Sequence, residues 1–158
     1  MHTTLLHQYR LVLSSRETLF DYCEGISRQH FCQQVPQFNN ESMCSMMAHA
    51  AATYLNWLVN FAQREKIPYF ESNDCRDIRA TRAMFNQINI VVNDFLDRFK
   101  DALDVPLTLP KREGVELTLT PLDLFMHVIT HEFHHKGQLV NMSRQLGYIP
   151  VDTDVIRS

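Results

Sequence analysis

The segment TPLDLFMHVITHEFHHKGQLVNMSRQLG, residues 120–147, repeats apolar residues at helical spacing from end to end. Leu124, Val128, position 131, position 135, Leu139, Met142 and Leu146 follow one another in steps of three and four, which is one continuous stripe of an amphipathic helix. Pro121 suits the first turn, Gly147 the position just past the last turn, and Pro150 lies beyond it. Two places on the stripe are taken by His131 and His135. An i, i+4 pair stands on one helix face about one turn apart. Burying two imidazoles without partners is costly, and two charged rings would repel. A divalent cation removes both costs by binding the neutral ring nitrogens. Spacing alone leaves two readings open, a metal site and a pair of hydrogen-bonded core histidines.

Outward from this helix, three further segments carry the same periodicity. Residues 2–25 place Leu6, Tyr9, Leu13, Phe20 and Cys23 on a stripe that Arg16 interrupts. Residues 42–65 repeat Met43, Met46, Met47, Ala50, Tyr54, Trp57 and Phe61, with Pro68 as the stop. Residues 74–103 repeat Met84, Ile88, Val91, Phe95 and Phe99. Between the third and fourth segments, Leu107–Leu109 and Val115–Leu119 alternate around Glu113-Gly114, which permits a short hairpin despite Pro110. Four amphipathic helices in 158 residues predict an all-α four-helix bundle with a hairpin between helices 3 and 4, forming one domain over residues 1–158. The second segment is richer in apolar residues than one stripe needs, which fits either a dimer face or a thick core.

Composition narrows the function classes. With 45% hydrophobic and 21% charged residues the chain is neither disordered nor membrane-spanning, and four glycines are too few for an all-β sandwich. A formal net charge of −3 gives no reason to expect nucleic acid as a partner. The N-terminus lacks a basic stretch followed by a clean apolar run, so a cytoplasmic location is expected. The four cysteines form no C-x-x-C pair and read as small hydrophobes rather than a thiolate cluster.

A stable metal site wants a third ligand. His49 lies mid-helix in the second segment, on a stripe of Ser42, Ser45, Ala52 and Asn56 that could border a cavity. That position makes it the best-placed third ligand, although spacing alone leans toward a partly exposed helix histidine. His127, one turn before His131, and Gln138 are candidates for supporting or substrate contacts, His134 lies off the stripe, and His2, His7 and His30 sit near segment ends. His131–His135 also matches the H-E-x-x-H of zinc proteases. No histidine or glutamate follows His135, and Glu132 lies off the His131/His135 face, so a protease is not the expected reading.

The last-helix segment closely resembles the signature of the DinB-like metalloprotein family, a histidine pair one turn apart followed by a basic residue, Gly-Gln, a Leu-Gly ending and an aspartate in the tail. The matching residues are His131, His135, Lys136, Gly137, Gln138, Gln145, Leu146, Gly147 and Asp154. SMMAHAAATYLNWL (residues 45–58) is similar to the family's second-helix segment through Ser45, His49 and Trp57. The resemblance implies a four-helix bundle of the DinB/YfiT-like type, often a homodimer, with a divalent ion on His49, His131 and His135. Zinc is the expected ion, with nickel, copper and iron open on ligand chemistry. Some relatives are thiol S-transferases, which implies a metal-dependent enzyme acting on a low-molecular-weight thiol. Hydrolysis of a small substrate and a non-catalytic metal-binding bundle are the alternatives.

Overall fold

The computed structural model describes residues 1–157 and is mostly helical. Helix α1 spans His2–Glu24, and a single-turn α2 spans Arg28–Phe31. Helix α3 spans Met43–Tyr54 and runs on into a π-helical turn, Leu55–Phe61. Helix α4 spans Ile78–Arg98, strands β1 and β2 span Leu107–Arg112 and Val115–Leu119, and α5 spans Pro121–Gln145. The four long rods close a ring in which α1 packs on α4 and α5, and α3 packs on α4 and α5.

The expected all-α architecture holds in its helical character, with additions. A two-stranded antiparallel sheet pairs Leu107 with Leu119 and Leu109 with Leu117, and an irregularity between Pro110 and Arg112 accommodates the proline. The connector after α1 contains α2 and a 3₁₀ turn at Pro36–Phe38, where sequence reading saw only a polar link. The third segment is shorter than its periodicity implied, because Ser72–Cys75 forms a separate 3₁₀ turn before α4.

The core is built from fully buried rings and aliphatics, among them Phe20, Phe85, Phe95, Phe125, Leu58 and Leu96. Each such side chain contributes about 1.5–3 kcal/mol by leaving water. Met43, Met46, Met47, Ala50 and Tyr54 are all buried within the chain. These five side chains of the apolar excess belong to the core, while Trp57 of the same stripe is half-buried.

Arg16 corrects the reading of α1. It does not interrupt the buried stripe but belongs to it, 2% exposed. Its guanidinium donates to both oxygens of Glu132 on α5 at 2.7 Å and to Asn89 Oδ1 on α4 at 2.6 Å, and it lies 4.6 Å from the centre of the Phe85 ring. Tyr54 of α3 donates to Glu132 Oε2 at 2.5 Å. One buried ion pair with its hydrogen bonds thus touches all four long helices. After α5 the chain turns at Gly147 and returns across α1. There Lys136 Nζ donates to Ser15 Oγ at 2.9 Å and to the Thr153 carbonyl at 2.5 Å, and Ser15 Oγ donates to that same carbonyl at 2.6 Å.

Candidate metal centre

Helix α3 starts at a reciprocal cap. Ser42 Oγ accepts from the Ser45 amide at 3.0 Å, while Ser45 Oγ accepts from the Ser42 amide at 2.8 Å. This start sets His49 two turns into the helix. Helix α5 starts at a similar box between Thr120 and Asp123, so both ligand-bearing rods are fixed at their N-terminal ends.

The structure brings His49, His131 and His135 together. Their ring centres are 5.1 Å apart for His49–His131, 4.9 Å for His49–His135 and 4.3 Å for His131–His135. One ring nitrogen from each lies within 4.8 Å of the others, a spacing that fits a shared divalent ion. The cluster sits at the edge of the ring of rods rather than deep within it, for His49 is exposed, His131 half-buried and His135 buried. A solvent-open cavity of about 820 Å³ adjoins it, bordered by His49, His135, Gln138, Glu41, Phe38 and Phe70.

The donor chemistry suits a cation. The Gln138 amide oxygen accepts from His135 Nδ1 at 2.6 Å, which places that ring's proton on Nδ1 and leaves Nε2 as a bare lone pair. That Nε2 lies 3.2 Å from His131 Nε2. His131 Nδ1 is buried and has no hydrogen-bond partner among the described residues. Burial, reinforced by the neighbouring imidazoles, pushes the His131 pKa down to about 4, and burial likewise lowers that of His135. Both rings are therefore neutral near pH 7, the form that binds metals.

The remaining candidates separate clearly. Gln138 contacts His135 directly. His127 is exposed and outside the three-histidine group, its ring 5.8 Å from His131 and edge-on to Trp57 at 5.1 Å. His134 is exposed beside His135. Glu132 faces away into the Arg16–Tyr54 network, where it has no protease-like role. Sequence reading missed that network, although a charged residue on a buried stripe was its signal.

Four helical rods with a histidine group at their edge, opening on a cavity, define a helical protein with a site that fits metal binding. The sequence profile of the DinB family matches residues 1–158, and the chain belongs to that family. It is similar to "Protein DinB" of Bacillus subtilis (strain 168), 21% identical over 155 residues, covering 92% of this chain and 88% of the relative. It is also similar to "Uncharacterized protein YizA" of the same organism, 22% identical over 142 residues, covering 89% of this chain and 87% of the relative.

Proposed function

We propose that the protein is a metal-dependent transferase that activates a small thiol toward an electrophile, on the DinB-type four-helix bundle. One observation carries the reading: three imidazoles from two helices converge where an open cavity begins. His49, His131 and His135 would hold the ion, with zinc favoured and nickel the other candidate. A divalent ion bound there supplies Lewis acidity and favours the thiolate form of a bound thiol. Gln138 fixes the protonation of His135 and so keeps its Nε2 free to ligate. The cavity admits a molecule of small-ligand size, with Phe38 and Phe70 as apolar wall and Gln138 and Glu41 as polar contacts.

Elemental analysis of the purified protein, before and after chelation, tests the ion. Consumption of a small thiol in the presence of an electrophile, compared between the parent and His135→Ala, tests the transfer. The expected result is loss of both metal and thiol consumption in the variant. Metal loss with unchanged consumption would leave a metal-binding bundle without this catalysis.

A further inference from the structure

On the other side of His127 from the metal centre lies a second cleft, of about 390 Å³, that the proposed activity does not use. It lies along the π-helical turn Leu55–Phe61 and is bordered by Trp57, Asn56, Arg64, Lys66, Tyr69 and Lys111. The wide turn breaks the α-helical hydrogen-bond ladder, and the Ala62 amide reaches back five residues to the Trp57 carbonyl at 3.1 Å. Such turns recur at functional sites. The Lys111 ammonium, from the hairpin, lies 5.3 Å from the centre of the Trp57 ring. The Arg64 guanidinium holds the hairpin through the Pro110 carbonyl at 3.1 Å. Asn56 Oδ1 accepts from the Tyr69 hydroxyl at 2.8 Å, so its NH₂ is left to donate.

The charge balance is one-sided. Arg64, Lys66 and Lys111 all border the cleft, and among the described residues no acidic one does. Among the described residues none of the three cations has a carboxylate within ion-pair distance, and the nearby Glu65 is turned to Arg98 at 3.4 Å. On a chain of net charge −3, three uncompensated cations around an aromatic ring form a local positive site.

We propose that this cleft binds a small anion carrying a planar body, its carboxylate or phosphate held by Lys66, Lys111 and Arg64 with the Asn56 NH₂, and its body laid on Trp57. The site stands whether or not an ion joins the three histidines. His127 lies between the two, its ring 5.1 Å from Trp57 and 5.8 Å from His131.

Trp57 is the sole tryptophan, so its fluorescence reports this cleft alone. The full-length protein is titrated with phenyl phosphate, with inorganic phosphate, and with phenyltrimethylammonium as the charge-reversed probe. Selective tryptophan excitation keeps the tyrosines silent, and calorimetry serves as the second readout. Saturable changes are expected with the two anions and none with the cation, the affinity falling as salt is raised. Lys66→Gln/Lys111→Gln, at two exposed positions, is expected to weaken phenyl phosphate by about tenfold or more with an unchanged circular dichroism spectrum. The proposal is overturned if neither anion gives a saturable change, if phenyltrimethylammonium binds as well, or if the double variant binds phenyl phosphate like the parent.

Discussion

Glu132 follows His131 in the chain, yet its carboxylate leaves on a different face of α5 and is held there by Arg16 and Tyr54. A charge in such a place is tolerable only while its counter-charge is present. Arg16→Leu is expected to cost about 3–5 kcal/mol, measured by urea unfolding, whereas Arg16→Leu/Glu132→Leu should recover most of that loss. A loss in the double variant equal to the sum of the losses in Arg16→Leu and Glu132→Leu would mean the pair is not coupled. The histidines carry a pH signature of their own. His131 titrates at about 4 when folded against 6.5 as a free side chain, so between those values the unfolded chain binds more protons. The stability of the chelated protein should therefore be complete above about pH 6.5 and fall as the pH drops toward 4, with His135 acting in the same direction. Urea midpoints of the chelated protein at neutral pH and at about pH 5 check the sign. A midpoint that rises on acidification would contradict it.

Helix ends and helix turns position the site. Ser42→Ala removes the side-chain oxygen that caps α3 and is expected to cost about 1 kcal/mol in thermal or urea unfolding. Because the cap lies two turns before His49, the same variant should bind zinc more weakly than the parent. The elements differ in how openly they were written in the residues. α5 could be read from its unbroken steps of three and four, and β1 and β2 from their alternation. α2 could not, since four residues carry no period, and the π turn could not, since Tyr54, Trp57 and Phe61 keep helix-like spacing through it. The pair His131/His135 was legible from spacing within one helix. The place of His49 was legible only through the resemblance to the DinB family, because spacing in α3 does not single it out as a ligand, and it is the packing of α3 on α5 that brings it to the others. The Arg16–Glu132 pair, 116 residues apart in sequence, left a single mark, a charge on an apolar stripe.

Across the whole molecule, an ion shared by His49, His131 and His135 would tie α3 to α5 and bind only the folded chain. Zinc at about a hundred times its dissociation constant should therefore raise stability by about 2.7 kcal/mol, seen as a thermal midpoint higher by several degrees. Chelation should reverse the rise and His135→Ala abolish it; an unchanged midpoint in the parent would argue against a shared ion. The grip of Arg16 on Glu132 has a mechanical meaning for this arrangement. It works as a key in a keyway, stopping the α5 shaft from rotating about its own axis. Side-chain tips ride about 5–6 Å from a helix axis, so a slip of roughly 10° would carry the His131 and His135 nitrogens sideways by about 1 Å. Misplacement of that size can lower a rate by about a hundredfold. The aim of the two imidazoles is thus governed by a contact on another side of the rod, one that never meets the cavity.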